Sequence, residues 1–161
     1  MGTVQATLNR RAVTRTTKGR GRAPARVSAP ELRDLLDRTM AEVDADEKAG
    51  SHLRATGLRA RLRVRDLGLV LDVEPCEEGD HHLRWTFSES ADWKPKLELI
   101  MDSQAANAYL QGRESLAIAI ARNRVRLRGE ARSALLYVPA MRVVVEAYRR
   151  LVRKHYPQLV V

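Results

Sequence analysis

The sequence predicts a single small α/β domain, of the α+β kind, in which a five-stranded sheet has helices packed on one face. Its length of 161 residues suits one domain with its own apolar core. Several short segments alternate apolar and polar residues, a period typical of strands with one buried face. Apolar residues at helical spacing precede and follow these segments. Only 4% of the residues are aromatic, so aliphatic side chains must fill most of the interior.

The first helix has a clear start signal. Ser28 and Glu31 have the spacing of a capping box, which predicts that the folded part begins at residue 28. Gly50 predicts the end of this helix. The apolar stripe behind the cap consists of Leu32, Leu35, Leu36, Met40 and Val43.

The next two segments predict a pair of antiparallel strands. Apolar residues alternate with arginines over 58–65, and a second alternation follows over 69–74. Pairing Val64 with Leu69 places both apolar sets on one face and fixes the register. On the solvent-facing side this register pairs Arg61 with Asp72 and Arg59 with Glu74.

The remaining elements follow in chain order. Leu83, Trp85 and Phe87 predict a third strand with His82 on its outward side, and Leu97, Leu99 and Met101 predict a fourth. Two short helices are expected near 103–110 and 114–122, followed by a fifth strand at 125–128. Pro139 predicts a break in the closing helical region, after which an apolar stripe runs from Met141 to Val152.

The stretch 94–130 carries a resemblance to a known family. It contains PKLELIMDSQAANAYLQGRESLAIAIARNRVRLRGE, an apolar strand followed by an Asp cap, two short helices and a basic alternating strand. This run resembles the core of the sterol-carrier-protein-2 (SCP-2) sterol-binding domain family, in a stand-alone bacterial-type form. Asp102, Gly112 and Gly129 stand at its cap and glycine positions.

Two positions depart from the family pattern. Asn123 stands where the family usually has Gly before the fifth strand, which is tolerable because Asn accepts a positive φ. Glu130 replaces a frequent Asp or Asn after Gly129. The resemblance covers about residues 30–150 and includes no catalytic motif.

The resemblance implies an elongated apolar cavity between the sheet and the helices. The leading functional expectation is therefore a non-catalytic carrier of a sterol, fatty acyl chain or other apolar ligand, with no cofactor and no metal. Strands three and four and the later helices would supply the lining. The ligand-binding residues that this implies are Trp85, Leu99, Met101, Leu110, Ile118, Ile120, Leu136, Met141 and Val145.

Two other functional classes stay open. SCP-2-like domains also occur as accessory parts of larger enzymes, so the chain could serve a partner enzyme in a biosynthetic system. A third alternative is acquired catalysis, in which the cavity cyclises or isomerises a bound apolar substrate. The residues themselves favour neither catalysis nor metal binding: His81 and His82 are adjacent on a predicted strand, so their side chains would point to opposite faces.

The positive charge is concentrated at the N-terminus. Residues 1–29 hold seven of the 29 basic residues and no acidic one, whereas the rest of the chain has 22 basic and 20 acidic residues. Residues 1–27 are expected to form a disordered basic tail, followed by the lipid-binding domain at 28–161. This tail could be a solubilising extension, a contact for an anionic membrane surface, a nucleic-acid-binding segment or an organelle transit peptide.

Two further features bear on partners and location. The arginines of the strands would gather on the open sheet face, either as a solvated surface or as a docking surface for an acidic partner or membrane. The sequence has no apolar run of ~20 residues, no apolar secretory stretch and a single cysteine, Cys76. A soluble, cytoplasmic protein is therefore expected.

Overall fold

The computed structural model describes residues 25–88 and 93–161. The helices are α1 Ala29–Ala45, α2 Glu47–Ala55, α3 Ser103–Leu110, α4 Leu116–Ala121 and α5 Ala131–His155. The strands are β1 Ala60–Val64, β2 Leu69–Pro75, β3 Leu83–Thr86, β4 Leu97–Met101 and β5 Val125–Gly129. Short 3-10 turns span Arg65–Leu67 and Pro157–Leu159. Within these ranges no helix is both long enough and apolar enough to cross a membrane.

The strands form one mixed sheet in the order β3-β2-β1-β4-β5. β1 and β4 are parallel, and the other neighbouring strands are antiparallel. Leu62 in the central strand stands opposite Leu71 on one side and Leu99 on the other, so the inner face carries rows of apolar residues. The helices cover this face, with α1 packed against α5. The predicted five-stranded α+β sheet with helices on one face is confirmed.

The capping box at the start of α1 is confirmed. Ser28 is the N-cap residue, and the Glu31 carboxylate accepts from the Ser28 backbone N–H at 2.9 Å. The predicted end at Gly50 is wrong, because the chain turns at Asp46 and Gly50 lies inside α2. Gly50 is needed for packing instead, since a Cβ atom there would lie 2.5 Å from the His82 ring.

The described residues begin just before α1. The predicted disordered tail falls mostly on residues 1–24, which lie outside the described part of the chain. Val27, at the end of that predicted tail, is buried and packs in the core. Ordered packing thus includes the residue immediately before the Ser28 cap.

The outer face of the sheet differs from the sequence prediction at Asp72. The register is as predicted, with Arg61 opposite Asp72. However, Asp72 is only 2% exposed and does not face solvent. Its carboxylate tolerates burial because two guanidinium nitrogens of Arg61 donate to its two oxygens at 2.6 and 2.8 Å. The connection from β3 to β4 reaches this face too, where the Arg59 guanidinium lies 5.9 Å from the Trp93 ring centroid.

The closing helix also differs from its prediction. α5 runs unbroken from Ala131 to His155 with Pro139 inside it, so the predicted break is wrong. Pro139 has no N–H to donate to the Leu135 carbonyl four residues earlier. Both residues are exposed, Leu135 by 78%, so water can satisfy that carbonyl and the helix continues.

Two special backbone positions frame β5. Asn123 has a φ of 55°, a positive value that fits its place at a position where the resembling family usually has glycine. Gly129 has a φ of 130°, and a Cβ atom there would clash with the carbonyl oxygen of Lys96. Glycine is therefore required at the end of this edge strand, where β4 and β5 meet.

Candidate ligand-binding cavity

An apolar pocket lies between the inner face of the sheet and the helices, with a volume of about 90 Å³. The sheet supplies one wall, and α1, α2, α3 and α5 supply the other. The lining residues are Leu36, Met40, Leu53, Thr56, Leu58, Ala60, Arg61, Leu62, Leu71, Val73, Leu83, Leu99, Tyr109, Leu110, Tyr137, Ala140, Met141 and Val144.

The burial of β1 shows where the helices leave the sheet uncovered. Leu62 lies in the central strand between Leu71 and Leu99, yet it is only half-buried. Val64, two residues further on the same face, is fully buried. Ala60 and its partner Val73, in the next row, are also half-buried. The gap in the helix layer therefore lies over the end of the sheet where β1 begins.

Two helices frame this gap. α5 contributes the buried Ala140 and Val144 and the half-buried Met141, which are spaced so that they share one side of the helix. α2 contributes Leu53 near its C-terminal end. Just after α2, the Thr56 hydroxyl donates to the Leu53 carbonyl at 2.7 Å, which ties down the last turn. The uncovered end of the sheet is thus bounded by one helix end and one helix side.

A pair of tyrosines brings polar atoms to the apolar wall. The Tyr109 hydroxyl, on α3, donates to the Tyr137 hydroxyl, on α5, across 3.3 Å. Both side chains are buried among apolar residues. Burial raises the pKa of Tyr109 and raises that of Tyr137 still further above its ordinary value. Both phenols are therefore neutral at physiological pH.

In the part of the chain that the structure describes, the only other polar side chains in the lining belong to Thr56 and Arg61. The Thr56 hydroxyl donates to Leu53 and accepts from the Leu58 backbone N–H at 3.2 Å. The Arg61 guanidinium is held by Asp72 on the opposite face of the sheet. The cavity is consequently apolar apart from the tyrosine pair and one bonded hydroxyl.

Three of the nine sequence-predicted ligand residues line the cavity. They are Leu99 on β4, Leu110 on α3 and Met141 on α5. The other six are outside the lining: Trp85, Met101, Ile118, Ile120, Leu136 and Val145. Contact between any of the nine and a ligand stays a prediction.

The residues outside the lining have identifiable surroundings. The Trp85 indole donates to the Asp37 carboxylate on α1 at 2.8 Å, which holds its ring away from the gap. Met101 lies at the closed end of the sheet, paired with Val64 and Val125, and is fully buried. A Cβ atom on Gly112 would lie 3.1 Å from Val145, which places this half-buried side chain beside the end of α3.

Three predicted residues are exposed on helices. α4 buries only Leu116 and Ala119, so Ile118 and Ile120 face outwards at 47% and 40% exposure. Leu136 on α5 is also exposed, while its neighbour Tyr137 points into the structure. The apolar character of these side chains predicted burial, but the short helix and the angle of α5 turn them to the surface.

The sequence prediction placed Val144 on the same stripe as Met141 but missed Tyr137 and Ala140, which lie on the same helix face. The four residues have the spacing i, i+3, i+4 and i+7, which indicates one helix face. The predicted break at Pro139 hid this signal, because it assigned Tyr137 to a different segment from the others. If the helix is assumed to continue through Pro139, its period places these four residues on one face, which is the α5 wall of the cavity.

A separate polar cluster lies at the junction of α1, α2 and β3. β3 begins at Leu83, so the prediction that places His81 and His82 on that strand is wrong. His81 Nδ1 lies 2.6 Å from the Asp44 carboxylate, and His82 Nε2 lies 3.1 Å from the Glu47 carboxylate. Among residues 25–88 and 93–161, no three His, Cys, Asp or Glu side chains are grouped to hold a metal ion.

Comparison with known proteins gives structural rather than sequence matches. No family model matches the chain, and no curated protein matches it at a significant level. A conserved hypothetical protein from Thermus thermophilus, suggested to be a sterol carrier protein, superposes with a TM-score of 0.55 at 16% identity. That superposition covers 80% of this chain and 95% of the other.

Two further solved structures are similar at lower scores. The stereoselective inverting sec-alkylsulfatase from Pseudomonas sp. has a TM-score of 0.47 at 15% identity and covers 63% of this chain, which spans 15% of that enzyme's length. A crystal structure of sterol carrier protein 2 has a TM-score of 0.49 at 16% identity, covering 72% of this chain and 94% of the other. The order of the strands in the sheet and the match to the Thermus protein show that the chain has an SCP-2-like fold.

Proposed function

We propose that this protein binds an apolar small molecule, such as a sterol or a fatty acyl chain, in the cavity and carries it unchanged. The observation that supports this proposal is the half-buried side chain of Leu62, which lies in the central strand between the buried residues Leu71 and Leu99. An apolar ligand over Leu62 would remove this surface from water, at roughly 25 cal/mol per Å² of apolar area buried.

The size of the cavity sets a condition on binding. Its volume of about 90 Å³ is below the roughly 300–1,000 Å³ that is usual for pockets that bind drug-sized ligands. A long-chain ligand therefore requires the helices to move away from the sheet. The first half of α5 is suited to this motion, because Pro139 removes one backbone hydrogen bond there and Leu135, Leu136 and Val138 are exposed.

A cavity-filling substitution tests the proposal. Ala140 is buried and lines the cavity, so Ala140→Leu should place the added carbons in existing space. We expect unchanged or slightly higher stability, together with at least a tenfold loss of affinity for a fluorescent fatty acid. Urea denaturation measures the first quantity, and fluorescence titration measures the second.

Ala147→Leu is the matched control. Ala147 lies on the same helix and is equally buried, but it is outside the cavity lining. Overpacking there should cost about 1–3 kcal/mol of stability and leave the ligand affinity of the folded protein unchanged. Equal destabilisation by both substitutions would show that Ala140 lies in ordinary packed core. Undiminished binding by Ala140→Leu would rule out this cavity as the binding site.

A second candidate function is an accessory role beside a partner protein. It is favoured by five large apolar side chains that the described fold leaves exposed, namely Ile118, Ile120, Leu135, Leu136 and Val138. Exposed apolar groups of this kind often mark interaction sites. Absence of binding to any apolar probe would favour this role, because it requires the surface of α4 and α5 and not the cavity.

A further inference from the structure

The tyrosine pair on the cavity wall has unused hydrogen-bonding capacity. Two phenol groups carry two hydroxyl hydrogens, and one of them is used between Tyr109 and Tyr137. Within the described residues, each hydroxyl has only the other as its hydrogen-bond partner. One of the two hydroxyl hydrogens therefore lacks an acceptor, in a wall that otherwise consists largely of aliphatic side chains. A buried donor without an acceptor is costly, so a ligand atom that accepts this hydrogen would be stabilised.

The charges around the cavity limit what that ligand atom can be. Both phenols stay neutral, since burial raises the pKa of each. Among residues 25–88 and 93–161, Arg61 is the only cationic residue in the lining, and its guanidinium forms a two-bond ion pair with Asp72. Within these ranges no other cation lines the cavity to neutralise an anionic headgroup, and an unpaired buried charge is strongly unfavourable.

We propose that Tyr109 and Tyr137 form the polar end of the cavity and select an apolar ligand that carries one uncharged oxygen, such as an alcohol or a carbonyl. This inference rests on the proposed binding function and narrows the class of ligand. The ligand oxygen accepts the free hydroxyl hydrogen of the pair, while the hydrocarbon part lies over Leu62 and Leu99. An ionised carboxylate of the same chain length is disfavoured.

The test compares three probes of equal chain length: octan-1-ol, octane and octanoate at pH 8. Each displaces the neutral dye N-phenyl-1-naphthylamine from the full-length protein, and fluorescence reports the affinity. We expect Tyr137→Phe to lower the affinity for octan-1-ol about five- to tenfold, which is the effect of one hydrogen bond. The affinity for octane should stay unchanged. Tyr109→Phe should weaken octan-1-ol as well, because it removes the partner that orients the Tyr137 hydroxyl. Octanoate should bind at least about tenfold more weakly than octan-1-ol in the unmodified protein.

Tyr148→Phe is the control for loss of a buried phenol. Tyr148 lies on the same helix, but its hydroxyl donates to Asn107 and it is outside the cavity lining. It should leave all three affinities unchanged, and circular dichroism checks that each variant is folded. If Tyr137→Phe lowers the affinities for octan-1-ol and octane equally, or lowers neither, the proposed role of the tyrosine pair is overturned. Octanoate binding as tightly as octan-1-ol would overturn the preference for an uncharged oxygen. If none of the probes, including octane, displaces the dye, the binding function itself fails.

Discussion

The Asp44 carboxylate connects three segments of the chain. One oxygen accepts from the backbone N–H groups of His82 and Leu83, at 2.7 and 2.8 Å. The other lies 2.6 Å from His81 Nδ1. Asp44 is buried at the end of α1, so a single side chain fixes where β3 starts relative to that helix.

The electrostatics of this cluster give it a pH dependence. Burial acts to raise the pKa of Asp44, but the hydrogen bonds from His81 and the two backbone N–H groups outweigh it and lower the pKa. The hydrogen bond with Asp44 in turn raises the pKa of His81. The contribution of Asp44 to the free energy of unfolding is therefore lost as the pH falls through its lowered pKa. The contribution of His81 to this free energy is complete below the unfolded pKa of about 6.5, and it is lost as the pH rises through the raised pKa.

His81→Ala tests this reasoning at the residue scale. The substitution should lower the free energy of unfolding at pH 5.5, where the protonated imidazole pairs with Asp44. The difference from the unmodified protein should shrink towards zero at pH 9, where both versions lack that charge. Urea denaturation at the two pH values measures it. His52→Ala, at an exposed position of α2, is the control for loss of a histidine side chain. An equal loss from His81→Ala at both pH values would contradict the charge interaction.

At the scale of elements, a buried polar network joins α3, α5 and the C-terminus. The Asn107 side-chain oxygen accepts from the Tyr148 hydroxyl at 3.0 Å and from the Gln111 amide at 2.9 Å. The amide nitrogens of Asn107 and Gln111 both donate to the Leu159 carbonyl at 2.9 Å. Each side-chain nitrogen and oxygen atom of Asn107, Gln111 and Tyr148 has at least one hydrogen-bond partner, which makes the network stabilising despite its burial.

Asn107→Ala should uncouple the C-terminus from the helices. We expect a loss of about 1–3 kcal/mol in the free energy of unfolding, because the substitution leaves the Tyr148 hydroxyl buried without its acceptor. Hydrogen exchange should accelerate at the amides of Leu159 and Val161. Gln104→Ala, at an exposed position of the same helix, should change stability by less than about 0.5 kcal/mol. Unchanged exchange at the C-terminus would show that the network does not hold it.

Prediction of these elements from sequence succeeded where the signal was local. The capping box at Ser28, the register of Val64 with Leu69 and the positive φ of Asn123 depend on neighbouring residues, and all three are confirmed. The prediction at Pro139 is wrong because a proline usually ends a helix, whereas here Pro139 and Leu135 are both exposed residues and the helix continues. No local sequence pattern predicts that Asn107 is buried, because Asn is usually an exposed residue.

At the scale of the whole molecule, the excess of basic residues is concentrated at the N-terminal end of the sequence. Residues 1–24 hold six basic residues and no acidic one, which leaves 23 basic and 20 acidic residues in 25–161. On the outer face of the sheet, arginines are paired with acids: Arg59 and Arg84 with Glu74, Arg61 with Asp72, and Arg63 and Arg128 with Glu98. With five arginines against three acids, the sheet face is a partly neutralised surface.

This distribution predicts that the N-terminal segment governs binding to anionic membranes. Full-length protein should bind vesicles containing phosphatidylserine at low salt and dissociate as salt rises, since exposed charges are screened within about 10 Å at 0.1 M. A chain beginning at residue 25 should bind much more weakly in the same sedimentation assay. Neutral phosphatidylcholine vesicles and the Arg126→Gln variant of the full-length chain serve as controls. Equal binding by both chain lengths would assign the contact to the folded domain.

The sequence by itself determined the five strands, the apolar face of the sheet and the pairing of β1 with β2. These features follow from period, capping and turn residues within short segments. Only the tertiary structure decided how far the helices cover the sheet, which leaves Leu62 half-buried while Val64 is enclosed. It also decided that Tyr109 and Tyr137, on different helices, meet at 3.3 Å on the cavity wall. Periodicity assigns a residue to a face, but a cavity arises from the fit between two layers, and that fit depends on contacts between residues far apart in the chain.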